Sequence, residues 1–333
     1  MKKLFALALA LFIAVVFTGC SANNAQTQSV AKVDLNIIAL KGPTAMGMVK
    51  FMSDAEQNTV TDNRYHFSIA ASVDEVTPKI AQGQVDIAAV PANLASVLYN
   101  NTNGGIQVLA INTLGVLYMV EDGNSITSVE DLRGKTIYAS GKGATPEYAL
   151  NYILEQNGIE PEKDVTIEWK SEHTECVAAL TANKNAIAML PQPFVTTAQT
   201  KNENLRIALD LNREWEKLQE NSTQPSALLT GVVIARKTFA EENPQAVKAF
   251  LAHYQDSVIF VNENTEQAAI LVEQYDIVPQ AVAQKALPAC NITLITGTEM
   301  KQKLSGYLAV LNGQNPKAIG GTLPADDFYY HAE

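Results

Sequence analysis

Cysteine is nearly absent, with three in 333 residues, and histidine is scarcely commoner, with four. That is too few for a disulfide scaffold, a four-cysteine zinc site or an iron–sulfur cluster. Basic charge is short as well: 24 Lys and Arg stand against 35 Asp and Glu, a formal net charge of −11 with no Lys/Arg cluster. A nucleic-acid partner is excluded on those grounds. Also missing is any apolar run of the about 20 residues that a membrane-spanning helix needs. What remains is a chain that is 47% hydrophobic and long enough for two domains at roughly 150 residues each.

The first residues read as a processed leader. Lys2-Lys3 precedes fourteen apolar residues, Leu4–Phe17, and Phe17-Thr18-Gly19-Cys20 resembles a bacterial lipobox, although Phe17 and Thr18 are not its commonest residues. The expectation is a lipoprotein signal peptide over residues 1–19, lipid attachment (palmitate among the chains) at Cys20, and a flexible Ser/Asn/Gln-rich tether over 20–32. The protein then works outside the cytoplasm, anchored to the membrane. Removing Lys2 and Lys3 takes the net charge from −11 to −13.

From Val33 onward, short β-branched runs alternate with helical stretches, the pattern of α/β layers. Val33–Leu40, Tyr65–Ala70, Val85–Val90 and Ile106–Asn112 are expected strands; Thr44–Gln57 and Pro91–Tyr99 are expected helices. The order repeats about one hundred residues later. Lys135–Ser140, Val165–Lys170 and Ile187–Pro191 match the first three strands, and Ile187-Ala188-Met189-Leu190-Pro191 aligns with Ile87-Ala88-Ala89-Val90-Pro91. Leu205–Leu211 and Leu228–Ala235 are further strands, and the chain from Phe239 to about Asn312 reads as helical. Gly115–Val120 and Leu228–Ala235 bracket the second repeat, so they are expected to carry two crossovers, a hinge.

Ligands of open α/β sheets bind beyond the carboxyl ends of strands, where the matched loops lie. Gly42, Gly141 and Gly143 permit close backbone approach, while Thr44, Thr145, Ser72, Ser171 and Asn93 offer neutral hydrogen-bonding groups beside helix N-termini. Each of these polar residues can equally be an ordinary N-cap. Pro43, Ala92, Thr113, Ala144, Gln192 and Phe194 complete the candidate ligand-binding set. Lys41 and Lys142, at matching positions, either face an anion or are solvated.

Catalytic signatures fail. Gly134-Lys135-Thr136 lacks the P-loop glycine five residues earlier, where Val129 stands, and no Gly-x-Ser-x-Gly or His-Glu-x-x-His occurs. His173 either touches ligand or caps a helix, and Cys176 and Cys290 read as buried thiols. No cofactor and no metal is expected.

Two stretches carry a family resemblance. Gln82-Gly83-Gln84-Val85-Asp86-Ile87-Ala88 is similar to a "G-x-x-D-I-A" segment, and Ser128-Val129-Glu130-Asp131-Leu132-Arg133-Gly134-Lys135 to an "S-x-x-D-L-K/R-G-K" segment, of solute-binding lipoproteins of ATP-binding-cassette (ABC) importers. The resemblance covers the whole mature chain and is strongest to the branch that binds nitrate, sulfonates, taurine and thiamine-pyrimidine precursors. It implies the type II periplasmic-binding-protein fold: α/β, two lobes, each a mostly parallel sheet flanked by helices, joined by two hinge crossovers. The lobes would be residues 33–117 with 228–333, and 118–227. The implied function is capture of a small organic solute, an organic anion such as a sulfonate or carboxylate, by hinge closure, with delivery to a permease driven by a cytoplasmic ATPase and no catalysis. The alternatives are a neutral heterocycle as ligand or an enzyme on the same fold; a monomer is expected.

Overall fold

A computed structural model describes residues 32–220, 222 and 225–331. The expected signal peptide, Cys20 and nearly all of the tether lie outside the described residues.

The chain runs β1 (Asp34–Leu40), α1 (Pro43–Met46), α2 (Val49–Glu56), β2 (Arg64–Ala70), α3 (Val73–Ala81), β3 (Ile87–Pro91), α4 (Ala92–Asn101) and β4 (Ile106–Leu114). It continues with β5 (Leu117–Asp122), β6 (Thr136–Ser140), α5 (Thr145–Gln156), β7 (Thr166–Lys170), α6 (His173–Ala182), β8 (Ile187–Pro191), α7 (Phe194–Lys201), β9 (Leu205–Asp210) and α8 (Leu211–Gln219). The last part holds β10 (Leu229–Arg236), α9 (Lys237–Glu242), α10 (Pro244–Glu263), α11 (Thr265–Gln274), α12 (Gln280–Ala286), β11 (Ile292–Ile295) and α13 (Gly297–Gln314).

Two mixed sheets result. The first is ordered β2-β1-β3-β10-β4-β11 and the second β7-β6-β8-β5-β9. In both, a parallel trio leads to a strand that runs antiparallel to it, β10 beside β3 and β5 beside β8. The strand beyond turns back again, so four strands of each sheet share one direction. Those antiparallel strands are the ones that arrive from the other sheet. The crossing itself is shorter than the sequence suggests: Gly115 and Val116 make the first passage, and Leu117 already pairs in the second sheet.

Alternation along the strands explains the layers. Leu35, Ile37, Ala39, Ile87 and Ala89 face a core shared with α2, α10 and α11. Ile38, Ala88 and Val90 face the opposite way, into a core that continues through Leu117, Met119 and Ile137 of the second sheet and Tyr307, Leu308 and Leu311 of α13. Cys176, Val177, Leu180 and Leu190 form the outer core of the second sheet.

Two expectations need correction. The helix expected over Thr44–Gln57 breaks at Gly47, where a Cβ would lie 2.9 Å from Ile292 Cγ2 and 3.3 Å from the Tyr254 hydroxyl, so tertiary packing stops the first turn. The region expected to be helical contains β11, whose β-branched Ile292, Thr293 and Ile295 suit an edge strand on β4.

Candidate functional site

Between the two sheets lies a cavity of about 380 Å3. From the first sheet come Val73, Pro91, Asn93 and Leu94; from the second, Ala144, Thr145, Pro146, His173 and Pro191. Val116, Leu117, Leu228 and Thr230, at and beside the two passages, close its floor. A larger groove of about 800 Å3 lies by α9, α10 and Asp326–His331, but it draws on none of the matched loops and on no part of the second sheet.

Four helices begin at this cavity. Val73 opens α3, Asn93 is second in α4, Thr145 opens α5 and His173 opens α6. Their first-turn N–H groups have no intrahelical partner, and the helix dipoles add partial positive charge at the same point. No Asp, Glu, Lys or Arg lines the cavity. The walls are apolar except for Asn93, Thr145, His173 and Thr230, so an anion here would be met by neutral donors.

Thr145 accepts a hydrogen bond from the buried Tyr307 hydroxyl at 3.1 Å, which leaves its own hydroxyl proton free to donate. Asn93 donates to the Ala318 carbonyl at 3.2 Å. Both cavity residues are thus held by the C-terminal segment, one from each side. The His173 ring sits 2.5 Å through Nδ1 from Ser140 Oγ and packs on Phe194, with ring centroids 4.9 Å apart. Burial holds its pKa below the usual 6.5.

Of the candidate residues, Asn93, Ala144 and Thr145 are brought together at the cavity. Gly42, Pro43, Thr44, Ser72, Ala92, Thr113, Gly141, Gly143, Gln192 and Phe194 do not line it. Thr44 is buried and donates to the Leu40 carbonyl at 2.6 Å. The Ser72 hydroxyl reaches Glu75, at 3.5 Å. Thr113 is fully buried beside Asn112. Gln192 accepts from the N–H and hydroxyl of Thr196. Gly143 donates its N–H to Glu147 at 2.6 Å. Lys41 pairs with Asp276 and Lys142 with Glu162, both on the surface.

Sequence reasoning missed Val73, Pro91, Leu94, Pro146 and Pro191, and also Val116, Leu117, Leu228 and Thr230. The first five lie at or beside the matched loops and the other four at the passages, so the repeat boundaries were the signal that could have found them.

Comparison with known proteins follows the same lines. The family described as "ABC transporter, phosphonate, periplasmic substrate-binding protein" matches residues 48–285. No curated protein matches. Among solved structures, an ABC transporter from Parabacteroides distasonis aligns over 90% of this chain and 99% of its own, at 24% identity and a TM-score of 0.74. The periplasmic aliphatic sulphonate binding protein SsuA from Escherichia coli aligns over 90% and 92%, at 16% identity and 0.68. The alkanesulfonate-binding protein SsuA from Xanthomonas axonopodis pv. citri, bound to MOPS, aligns over 88% and 94%, at 14% identity and 0.60. At these identities the likeness establishes the fold.

Proposed function

This chain belongs to the family of phosphonate periplasmic substrate-binding proteins of ABC transporters, and from that membership we propose that its cleft takes a small phosphonate- or sulfonate-type oxyanion with an apolar body. As a solute-binding component it acts outside the cytoplasm and serves a permease with its ATPase. The observation that carries the choice of solute is the convergence of four helix N-termini on a cavity without charged walls. Helix N–H groups bind oxyanions without a cation, and Val73, Leu94, Leu117 and Leu228 suit the organic remainder. The SsuA relative bound to MOPS, a sulfonate with a ring, supports the pairing of such a head with a bulky body.

The same reading keeps the two expected lobes, residues 33–117 with 228–333 and 118–227, except that the hinge is drawn at Gly115–Val116 and Leu117, which pairs with Pro191, goes with the second lobe. Closure then follows from bonds that a solute makes to both sides at once. The site binds and releases without chemistry. Isothermal titration of the purified protein with butylphosphonate, butanesulfonate and a thiamine pyrimidine tests the choice: heat from the first two, with the probe recovered intact by mass spectrometry, is expected. Binding of the pyrimidine alone would replace the oxyanion by a neutral heterocycle.

The protein is further proposed to be a monomer held to the membrane through lipid on Cys20, on the strength of Gly19-Cys20 after a short apolar run. Cys20→Ala should move it from the membrane fraction to the soluble one, where sedimentation reports the monomer; an unchanged membrane fraction would refute the anchor.

A further inference from the structure

The C-terminal segment ties the two walls of the cleft to each other. α13 starts beyond β11 and passes Pro225 just ahead of the second passage, so close that a Cβ on Gly306 would stand 2.5 Å from the Pro225 carbonyl oxygen. Its last residues reach α5 of the second sheet. Gln314 donates to the Tyr148 carbonyl at 3.0 Å, and the Asn315 amide to the Tyr148 hydroxyl at 2.9 Å. That hydroxyl in turn donates to the Gly143 carbonyl at 3.2 Å, so Tyr148 joins α13 to the loop that brings Ala144 and Thr145 to the cavity. One turn later the chain is docked on the first sheet's side. Pro316–Ile319 forms a 3-10 turn whose carbonyls lie against α4: Ala318 accepts from Asn93 at 3.2 Å, and Ile319 from the buried Ser96 at 2.7 Å and from Asn100 at 2.9 Å.

Three peptide steps thus separate Asn315, bonded to α5, from Ala318, bonded to α4. Fully extended, such a stretch spans at most about 11 Å. α4 and α5 line the cavity from opposite sheets, so they can part only within that slack unless one end of the tie lets go. We propose that residues 314–319 are a strap that fastens the cleft and that Tyr148 is its clasp, its bonds forming as α4 and α5 come together and breaking as they part. The α4 end is the fixed one. Asn93, Ser96 and Asn100 hold it along a single helix, the Ser96 bond is buried, and Asn100 also bonds the Thr322 carbonyl at 2.8 Å. The clasp end hangs on one residue and lies about 12 Å of helix beyond Gly306, where rotation about the passages moves it furthest. The strap rests on the two-lobe reading above and adds to it closing free energy that no solute contact supplies.

Small-angle scattering and titration with butanesulfonate test it together. Tyr148→Phe keeps the buried ring and removes both hydroxyl bonds. Without solute, the variant should have a larger radius of gyration than the wild type, and saturating butanesulfonate should bring the two to one value. Its affinity should fall about threefold to tenfold, with faster dissociation. Gln314→Ala, which deletes the other bond at the clasp from a half-buried position, should move both readings the same way by less, and it stands in if Tyr148→Phe folds poorly. A radius or an affinity unchanged in both variants would overturn the strap, whatever their melting temperatures, because a bond that only supports the fold lowers stability alone. An expanded variant that failed to contract on binding would overturn hinge closure and the strap with it. A wild type that bound neither butanesulfonate nor butylphosphonate would refute the oxyanion reading, and the radii of the unliganded proteins would still decide the strap.

Discussion

The loops that leave β1 and β6 hold the same place in their sheets, each strand lying between two parallel neighbours, yet they serve different ends. After β1, Gly42-Pro43-Thr44 enters a helix of only four residues, and Thr44 is buried, its carbonyl accepting from Asn112 and its hydroxyl donating to Leu40. After β6, the chain passes through Gly141 and Gly143 into the unbroken twelve-residue α5, and Thr145 reaches the cavity. What packs behind each loop decides the outcome. Behind the first stand Gly47, Tyr254 and β11; behind the second, Tyr307 of α13. The loops that follow the second strand of each trio differ in kind as well, with apolar Val73 on one side of the cleft and polar His173 on the other. Duplicated units thus yield an asymmetric cleft, with Thr145 and His173 as the polar groups of one side and Asn93 and Thr230 as those of the other.

The largest expected effect tests how far the two sheets are braced alike. Each holds a buried carboxylate against an arginine: Asp86 with Arg236 in the first, Glu121 with Arg206 in the second. Glu121 accepts from the Ser125 N–H and hydroxyl, the Ile126 N–H and Arg206. Asp86 accepts from the Asn36 N–H, the Asn36 amide and Arg236. Removing the buried Glu121 carboxylate leaves the Ser125 and Ile126 N–H groups without their acceptor, so Glu121→Ala should cost about 3 kcal/mol in urea unfolding. Asp86→Ala, with fewer donors left unpaired, should cost less; equal losses would break the distinction. Burial alone would raise the Glu121 pKa, but the donors from Ile126, Ser125 and Arg206 outweigh it and leave the group below its usual 4.5. A lowered carboxylate contributes stability that is complete above 4.5 and is lost as pH falls through its folded value. Acid unfolding of Glu121→Gln should accordingly be less steep than that of the wild type below that pH.

Glycines supply the next contrast. At Gly231 of β10 a Cβ would stand 2.4 Å from Thr44 Cγ2 and 2.6 Å from Asn112 Oδ1, so the first loop is buttressed by the absence of a side chain. Gly143 has open space around it and a φ of +77°, a purely conformational demand. Gly231→Ala should cost about 2 kcal/mol through overpacking of buried neighbours, and Gly143→Ala about 1 kcal/mol through its left-handed backbone. Thermal melts that ranked them the other way would show that the first loop is less tightly held than its contacts indicate.

The repeat, the strands and the two passages were legible because β-branched runs and Gly/Pro punctuation are local signals. Ile187–Pro191 and Ile87–Pro91 occupy their expected places as β8 and β3. The break at Gly47 was not legible, since it depends on Tyr254 and Ile292, more than 200 residues away in sequence. Loop glycines announced positive φ, as Gly42, Gly141 and Gly143 have, but a backbone angle does not tell which side of a loop faces a ligand. His173 could be picked out by its position at the start of α6; its partner Ser140 sits at the end of β6, and β6–β7 pairing brings the two together.

The smallest effects separate binding from support at the paired threonines. Thr44→Val deletes a donor to the Leu40 carbonyl inside the core and should lower stability by about 1 kcal/mol. Its affinity for butanesulfonate should not change, because Thr44 does not line the cavity. Thr145→Val is less simple, since it removes a hydroxyl proton from the cleft and also leaves the buried Tyr307 hydroxyl without its acceptor. Pairing it with Tyr307→Phe removes both partners, which restores most of the stability. The lost donor is not restored by that second change. The double variant should therefore melt near the wild-type temperature and bind butanesulfonate about threefold to tenfold more weakly, as expected for one hydrogen bond. Recovery of both stability and affinity would mean that Thr145 supports α13 and nothing more, and the second loop would then differ from the first only in what it packs against.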